Sequence, residues 1–454
     1  MREAINRRWE EHYAAVSEEN PLEGVKALLA YNSVIDKVRA IDGQLLKLLR
    51  KPEVVPPIYA KTAEDLDDLS EGLCYSISNG LALEVICSPD VIRFLDEAGG
   101  YEERLGGQVA TVARLLSDFS AASVFVHPDR FSWKLASLYQ GSRAEVPLGI
   151  GGKVEYVRAE EFYWDCSPEA HYILEYPAGL SFGDGPAPRA NRFIAAPMTK
   201  VLFHKEWEEA LSKVSKECDA FFIAGLNHMG EEYEESFRKV REHIRTAKAS
   251  NPSLIIHLEI TSVPDLRKRE AILDDILPLV DSVGVNEAEL ADLAFLLGLP
   301  RWEQVRGNSV YQLEAMHLIR ALGVRRVNMH TLGYYLTLSP NPVEEVRKSL
   351  LFAAIVGAVR ASLGRSPRPE DLSKARDVPL AERGLKEMDR LSELLKLKGV
   401  DHRTFLREGW CEEESMVAVP TRVVDNPKFT VGLGDTISGA SLFSERWGKG
   451  PSPR

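Results

Sequence analysis

Residues 253–260, SLIIHLEI, and residues 280–286, VDSVGVN, are short runs rich in β-branched residues, and the polar segment between them has helical spacing near 265–277. The same alternation of a β-rich run with a helical pattern continues on both sides, in DAFFIAGLN (219–227), VRRVNMHTLGYYLTLS (324–339) and VEEVRKSLLFAAIVGAVRASLG (343–364). Strands that alternate with helices are typical of a mostly parallel sheet covered on both faces. The sequence therefore predicts an α/β fold with a doubly wound, mostly parallel sheet.

The region between residues 37 and 200 has a different pattern. Short alternating strands punctuated by glycine and proline occur in GLALEVICS (80–88), GKVEYVRAEEFYW (152–164) and AHYILEYPAG (170–179), and half-exposed strands of this kind are usual in antiparallel sheets. An exception is GGQVATVARLLSD followed by SVFVHP, which reads as a helix and a strand that return to the main sheet. We therefore expect a small β-rich lid inserted into a large domain. The predicted large domain comprises residues 1–36, 200–454 and roughly 106–135, and the predicted lid comprises roughly 37–105 and 136–199.

The overall composition is that of a globular protein with an acidic surface. Of the 454 residues, 44% are hydrophobic and 27% are charged, and the formal net charge is −12. Such a chain is poorly suited to neutralise nucleic-acid phosphates or anionic lipid, so neither nucleic acid nor a membrane is expected as a partner. The first residues, MREAINRRWEEHYAAV, lack the apolar core of a signal peptide, and the longest apolar run, Leu350–Val359, is too short to span a bilayer. The simplest expectation is a cytoplasmic protein whose five scattered cysteines are buried small residues rather than zinc ligands.

The motif VGLGDTISG (431–439) is a candidate phosphate site. Gly432 and Gly434 allow a tight turn and a close approach to a ligand, and a helix that begins here directs free N–H groups at an anion. Asp435 is then placed to accept the proton of an attacking hydroxyl. The alternative is an ordinary turn in which Asp435 or Thr436 is the N-cap of a helix.

Two further acidic motifs lie at the carboxyl ends of predicted strands, where open α/β sheets bind ligands. His257 and Glu259 are two residues apart and project from the same face of a strand, so the carboxylate is a candidate magnesium ligand. Asn286 and Glu289 share one face at the start of a helix. The alternatives are a buried His–Glu hydrogen-bonded pair and a helix capping box, respectively.

Four polar residues lie within or beside apolar runs, namely Asp36, Glu84, Gln108 and His171. Burying such groups is costly unless something hydrogen-bonds to them. Sugar hydroxyls would suit this set because they both donate and accept. The alternative is four unrelated local hydrogen bonds.

In this order along the chain, the motifs resemble those of the ADP-dependent sugar kinases of archaea, a branch of the ribokinase-like superfamily. The resemblance covers nearly the whole chain and is carried by YNSVID (31–36), LGGQ (105–108), HYILEYPAG (171–179), NRFI (191–194), HLE (257–259), NEAE (286–289), MHTLGYY (329–335), VPTRVV (419–424) and VGLGDTIS (431–438). It implies a ribokinase-like large domain with an inserted lid that closes on sugar. It also implies transfer of the β-phosphate of MgADP to a sugar hydroxyl, with AMP as the second product.

The resemblance also implies roles for individual residues. Asp435 matches the catalytic base, and Gly432 and Gly434 match the anion hole, while Glu259 and Glu289 match the carboxylates that organise magnesium. The nucleotide-contacting positions correspond to Asn286, His330, Thr331, Val424 and Gly434, and the sugar site corresponds to Asp36, Glu84, Gly107, Gln108, His171 and Asp435.

The choice of sugar rests on few residues. Glu84 resembles the glutamate of the glucokinase-like members, and His171 and the MHTLGYY segment are also more glucokinase-like. A 6-phosphate would need basic partners. Arg192 occurs on both sides of the family, and Met198 stands where phosphofructokinase-like relatives have a second arginine. Against glucose, Val34 stands where glucokinase-like sequences often have asparagine.

The sequence therefore predicts an ADP-dependent glucokinase that forms glucose 6-phosphate, acting as a monomer or homodimer. A bifunctional enzyme or a dedicated 6-phosphofructokinase is the alternative within the family. A non-catalytic nucleotide or sugar sensor is the alternative from another functional class.

Overall fold

A computed structural model describes residues 2–52, 62–183, 185–230, 232–263, 265–299, 302–425, 427–428, 431–445 and 447. Its β-strands are β1 Lys26–Ala30, β2 Val34–Ala40, β3 Thr62–Ala63, β4 Leu83–Cys87, β5 Glu102–Gly106, β6 Ser123–Val126, β7 Ala144–Ile150, β8 Lys153–Arg158, β9 Ala170–Tyr176, β10 Asn191–Pro197, β11 Ala220–Ile223, β12 Ile255–Glu259, β13 Ser282–Asn286, β14 Arg326–His330, β15 Tyr334–Leu338, β16 Trp410–Cys411 and β17 Met416–Pro420.

Helices connect and cover these strands. They are α1 Arg2–Val16, α2 Gly43–Leu48, α3 Leu66–Asn79, α4 Pro89–Ala98, α5 Gln108–Asp118, α6 Trp133–Leu138, α7 Lys205–Ser215, α8 Tyr233–Ser250, α9 Leu266–Ala271, α10 Glu287–Leu296, α11 Trp302–Gly307, α12 Ser309–Ala321, α13 Val343–Leu363, α14 Glu382–Leu397, α15 His402–Glu408 and α16 Leu433–Ser444. Among the described helices, none is long and apolar enough to cross a membrane.

The larger sheet has 11 strands in the order β16-β17-β15-β14-β13-β12-β11-β1-β6-β7-β8. Neighbours from β14 through β7 pair in parallel, and the strands beyond them at both edges pair antiparallel. The central strands are buried from end to end, as β11, β12 and β15 show. This is the pattern expected where helices cover both faces of a parallel sheet. The predicted mostly parallel α/β architecture is confirmed.

The smaller sheet has six strands in the order β3-β4-β10-β9-β2-β5. Its pairing is mixed rather than purely antiparallel, because β2 runs parallel to β9 and β4 runs parallel to β10, while β9 and β10 are antiparallel. Strand β2 begins four residues after β1 ends, so the chain passes from the larger sheet to the smaller one around residues 31–33. The residues just after β1 therefore lie between the two sheets.

The strands differ from the predicted lid boundaries in two places. Strand β2 of the smaller sheet begins at Val34, inside the predicted large-domain segment 1–36. The predicted lid segment 136–199 includes β7 and β8, which belong to the edge of the larger sheet. Strand β8 is partly to fully exposed along its length, as the sequence expects of a lid strand, because it is the outermost strand of this edge, whereas β7 is mostly buried. The predicted return of residues 106–128 to the larger sheet agrees with the position of α5 and β6.

Candidate active site

The glycine motif begins helix α16. Gly432 is the residue before the helix and has φ 67°, a left-handed conformation that glycine adopts easily. A Cβ at this position would lie 2.9 Å from the Thr111 hydroxyl and 3.1 Å from Arg360 Nη2. Gly434 is similarly constrained, because a Cβ there would lie 2.9 Å from His330 Nε2. Close approach therefore constrains both glycines, and the left-handed conformation is a further constraint at Gly432 only.

The start of α16 leaves backbone donors unused by the helix. Thr436 donates its N–H to the Gly432 carbonyl at 3.0 Å, and its hydroxyl reaches the same oxygen at 2.8 Å. No side chain caps this end of the helix, so neither Asp435 nor Thr436 is the N-cap that the alternative interpretation expected. The N–H groups of Leu433 and Gly434 precede the first helical hydrogen bond, and the positive end of the helix dipole lies with them.

Asp435 lies in the first turn of α16 and is half-buried. Burial raises the pKa of its carboxyl above the usual value, while the neighbouring Gln108 amide and the cations Arg360 and Arg192 act in the opposite direction. The Gln108 amide is close enough to the Asp435 carboxylate to lower its pKa, but neither of its buried polar atoms makes a hydrogen bond of normal geometry with the described residues. The Asp435 carboxylate therefore lies beside an amide group that can hydrogen-bond to a ligand.

Arg360 on α13 supplies a buried positive charge beside the glycine turn. Its Nη2 donates to the Val431 carbonyl at 3.2 Å, and its side chain is drawn electrostatically to both Asp435 and Asp36. Burial lowers the pKa of this guanidinium, and the two aspartates counteract that effect. Arg360 therefore links the glycine turn to two predicted site carboxylates.

Glu259 is the last residue of strand β12, and each of its carboxylate oxygens contacts a neighbouring side chain. One carboxylate oxygen accepts a hydrogen bond from the Ser438 hydroxyl at 2.9 Å, and the other lies 3.2 Å from His257 Nε2. His257 is held in turn by Ser282 at 2.8 Å. Gly284 opposite has no room for a Cβ, which would overlap the Glu259 carboxylate. Burial, then the charges of Asp435 and Glu289, raise the pKa of Glu259 well above its usual value.

Asn286 and Glu289 form the capping box that the sequence offered as an alternative. The Asn286 side chain accepts from the N–H groups of Ala288 at 2.9 Å and Glu289 at 3.0 Å, and the Glu289 carboxylate accepts from the Asn286 N–H at 2.7 Å. Burial nevertheless raises the pKa of Glu289 to about 8, with a further contribution from Asp435. The capping role and proximity to Asp435 therefore coexist.

The predicted nucleotide residues lie on adjoining segments. His330 ends strand β14, and burial lowers its pKa to about 4, so its ring is neutral at pH 7. The Thr331 hydroxyl is already used by the hairpin turn, where it donates to the Tyr334 carbonyl at 2.9 Å. The backbone of this turn bonds to Thr421, three residues before the half-buried Val424. The structure thus groups His330 with Gly434 and leaves Val424 on a neighbouring loop.

Asp36 and Gly107 lie where the two sheets meet. Asp36 in β2 is buried, and burial followed by the charges of Glu84 and Asp435 raises its pKa to about 7. Gly106 leaves space for the Asp36 carboxylate, and Gly107, with φ 82°, lies against the Asn32 carbonyl at the start of α5. Asp36 and Gln108 therefore approach Asp435 from the smaller sheet and from α5.

Glu84 and His171 meet a third residue, His228, that the sequence did not single out. His228 follows β11 in a short 3-10 turn, and its Nε2 lies 3.7 Å from a Glu84 carboxylate oxygen. The rings of His171 and His228 are 5.0 Å apart between centroids. Burial lowers the pKa of both imidazoles to about 4. This cluster joins two strands of the smaller sheet to a strand end of the larger one.

Sequence reasoning missed three residues of this region, although two of them carried a usable signal. His228 follows the carboxyl end of a parallel strand, the position that singled out Glu259 and Asn286. Arg360 is a charge within an apolar helical run, the criterion that singled out Glu84. Ser438 lies one helical turn after Asp435, and only the fold reveals that it reaches Glu259.

Comparison with known proteins identifies the family of this chain. The family model described as ADP-specific Phosphofructokinase/Glucokinase conserved region matches residues 25–444. The chain is 32% identical to an ADP-dependent glucose/glucosamine kinase of Pyrococcus furiosus, covering 96% of this chain and 98% of that protein. It is 29% identical to an ADP-specific phosphofructokinase of Pyrococcus abyssi, covering 92% of this chain and 97% of that one.

A solved structure described as an ADP-dependent kinase complex with fructose-6-phosphate and ADPbetaS has a similar fold. It superposes with a TM-score of 0.83 at 29% identity, covering 97% of each chain. The matched family region spans β1 through α16 and includes all of the residues discussed above. The chain therefore belongs to the ADP-specific phosphofructokinase/glucokinase family and is an ADP-dependent sugar kinase, a phosphotransferase with ADP as its phosphoryl donor.

Proposed function

We propose that this protein is an ADP-dependent glucokinase, which transfers the β-phosphate of MgADP to the 6-hydroxyl of D-glucose and releases AMP. The observation that carries the choice of sugar is the Glu84 carboxylate, which lies beside His228 and His171 in a site that also holds Asp36. A carboxylate accepts hydrogen bonds from sugar hydroxyls, whereas it repels a phosphate group. Glu84 therefore favours an unphosphorylated sugar.

The positive charge near the sugar site is already balanced. Arg192 is buried, and the attraction of Glu84, Glu175 and Asp435 counteracts the effect of burial on its pKa. Met198, at the position where a second basic residue would serve a 6-phosphate, is 56% exposed and uncharged. A sugar phosphate would have to compete with three carboxylates for one guanidinium, which disfavours fructose 6-phosphate relative to glucose.

Glu259 and Glu289 are proposed to organise Mg²⁺ with the nucleotide. The charge of Asp435 raises the pKa of both, and that of Glu289 also raises the pKa of Glu259; ionising buried carboxyls together is costly unless a cation balances them. Their oxygens are the ligands that Mg²⁺ prefers, directly or through water. When bound, Mg²⁺ would neutralise charge on the diphosphate.

The chain's own groups are proposed to position and activate the acceptor. Asp435 accepts the proton of the 6-hydroxyl, and the N–H groups at Gly432 to Gly434 donate to the transferring phosphoryl group. Arg360, beside this turn, contributes a buried, fixed positive charge. The sugar ring is held by Asp36, Glu84, Gly107, Gln108 and His171, which supply both donors and acceptors. Closure of the two sheets over the sugar would exclude water as a competing acceptor.

The nucleotide is proposed to lie along the ends of β13 and β14. Asn286 donates to the diphosphate through its side-chain Nδ2, because its Oδ1 accepts two N–H groups of α10. His330 and Gly434 flank the same space. Thr331 contacts the nucleotide through its backbone, since its hydroxyl is used in the hairpin, and Val424 offers an apolar surface to the base.

A bifunctional enzyme is the second candidate, and one finding favours it. The structure with a TM-score of 0.83 is described as a complex with fructose-6-phosphate, and the chain is 29% identical to it. A non-catalytic sensor is the candidate from another class. The retained base, glycines and carboxylates argue against it, because a sensor needs no proton acceptor beside the sugar.

Steady-state assays of glucose and fructose 6-phosphate, each with MgADP and MgATP, test the proposal. We expect turnover of glucose with ADP and a higher kcat/KM for glucose than for fructose 6-phosphate. Turnover of fructose 6-phosphate alone would overturn the glucose assignment. Binding of ADP by calorimetry, without turnover of either sugar, would favour the sensor.

A further inference from the structure

Glu84, His171 and His228 form a compact group of potential metal ligands. One ligand atom from each residue can be chosen so that all three lie within 4.8 Å of one another. The Glu84 oxygen and His228 Nε2 are 3.7 Å apart, and the two imidazole rings are tilted by 41° with centroids 5.0 Å apart. The three side chains therefore converge on one point from two sheets.

This geometry is close to that of a zinc site. Zn²⁺ binds imidazole nitrogen and carboxylate oxygen at about 2.0–2.2 Å in a tetrahedral arrangement, which places neighbouring ligand atoms about 3.3 Å apart. The observed separations need only small side-chain movements to reach that value. Two imidazoles and one carboxylate fill three positions and leave the fourth open, as in catalytic rather than structural zinc sites.

The ring nitrogens of His228 are available to a metal ion. His228 Nδ1 is buried with no hydrogen-bond partner among the described residues, whereas its Nε2 lies 3.1 Å from the Asn227 amide nitrogen. A metal ion bound to Nδ1 would therefore give that atom a partner, and one bound to Nε2 would replace only the contact with Asn227.

Nearby cations limit how tightly an ion can bind. Lys268 donates to the Met229 carbonyl at 2.6 Å and contributes to the lowered pKa of His228, and Arg192 is attracted to Glu84. Both positive charges oppose a second cation in the group. We therefore expect a reversible site rather than a permanent structural one.

We propose that Zn²⁺, or a related late first-row divalent ion, binds Glu84, His171 and His228 and competes with the sugar. The site differs in chemistry from the oxygen ligands of Glu259 and Glu289, because its two imidazoles select Zn²⁺ over Mg²⁺. The ion occupies the side chains that would otherwise bind sugar hydroxyls, so it inhibits phosphorylation. The competition rests on the proposed sugar site, whereas the binding of the ion does not.

Calorimetric titration of the metal-free, full-length protein with Zn²⁺, without substrates, tests the site directly. We expect one saturable, reversible equivalent, weakened roughly 100-fold in His171→Ala and in His228→Ala. His317→Ala is the matched control, because His317 also pairs with a glutamate, Glu414 at 3.3 Å, but is 40% exposed. Co²⁺ in place of Zn²⁺ should give the visible absorption of a nitrogen-ligated four-coordinate ion in the unmodified protein and in His317→Ala only. Thermal unfolding shows whether each variant is folded.

Adding glucose to the same titration separates the two parts of the proposal. We expect glucose to raise the apparent Kd for Zn²⁺, and Zn²⁺ to raise the KM for sugar without lowering kcat. Binding that is lost in both histidine variants but unaffected by glucose would keep the metal site and overturn the sugar site. Weak binding of several equivalents, equal in all variants, would mean an adventitious ion only and would overturn the metal site.

Discussion

The two ends of the candidate active site hold buried polar groups in opposite states. At the ends of β12 and β13, Glu259 already accepts from Ser438 and Glu289 accepts from the Asn286 N–H. Near the smaller sheet, the Gln108 amide and His228 Nδ1 are buried without a partner among the described residues. Both ends are costly to bury, but for different reasons: the first groups carboxyls whose ionisation is opposed by burial and by one another, and the second has unmade hydrogen bonds.

This difference indicates what each end lacks. The pKa values of Glu259 and Glu289 stay raised even though hydrogen bonds orient both side chains. A cation bound between them would lower both pKa values and favour the ionised carboxylates. The second end needs a ligand that both donates and accepts, which is a property of sugar hydroxyls. Asp435 lies between the two ends, where phosphoryl donor and acceptor would meet.

Replacing the residue between the two ends should have the largest effect. We expect Asp435→Asn to lower kcat by roughly 10³-fold, because the amide cannot accept the hydroxyl proton. Its similar size should leave ADP binding, measured by calorimetry, close to that of the unmodified protein. Asp377→Asn, at an exposed position, is the control. Near-normal turnover by Asp435→Asn would remove the proton acceptor from this account.

Replacing Glu84, near the smaller sheet, should alter the relative activity on glucose and fructose 6-phosphate. We expect Glu84→Ala to lower kcat/KM for glucose by roughly 10²-fold, because an acceptor of a sugar hydroxyl is lost. The same change removes one of the carboxylates that attract Arg192, so fructose 6-phosphate should lose less or gain. Each sugar serves as the control for the other in steady-state assays. Equal losses for both sugars would indicate that Glu84 only supports the fold.

The effect of the Arg360 charge on Asp435 and Asp36 can be tested through the pH dependence of activity. Arg360 opposes the raised pKa of Asp435 and Asp36, so its removal should raise both pKa values. In Arg360→Met we expect the acidic limb of the kcat/KM profile to move to higher pH by roughly one unit, which is about tenfold in activity on that limb. Arg360→Lys should move the limb less because it keeps the charge. An unshifted profile with a uniformly lower rate would indicate a purely structural role.

The smallest effect is expected from replacing Glu289, one of the carboxylates near the ends of β12 and β13, with a neutral residue. The pKa of Glu289 is about 8 when folded, above its usual 4.5, so ionisation destabilises the folded state as pH rises through this interval. Glu289→Gln keeps an acceptor for the Asn286 N–H but cannot ionise. Its thermal midpoint relative to the unmodified protein should therefore rise between about pH 5 and 8 and level off above that. A difference in thermal midpoint that stays constant across this pH range would contradict the raised pKa of Glu289.

Much of the fold could be predicted because strand and helix periods are local properties of the sequence. The antiparallel hairpin of β7 and β8 could not be assigned to a sheet, since the exposed pattern of β8 is shared by edge strands and lid strands and the burial of β7 depends on its pairing with β6. The carboxylates Glu259 and Glu289 could be placed together because parallel strands end at a common edge. The contact of Arg360 with the Val431 carbonyl, 71 residues away, could not, because it depends on how α13 packs against α16.

A crystal structure of Asp435→Asn with glucose, ADP and Mg²⁺ tests the central claim most directly. We predict that glucose hydroxyls occupy hydrogen-bond distance from Glu84, Gln108 and His171, and that the 6-hydroxyl lies about 3 Å from residue 435. We also predict an ion held by Glu259 and Glu289, directly or through water. A sugar bound elsewhere, or one whose 6-hydroxyl points away from residue 435, would contradict the account.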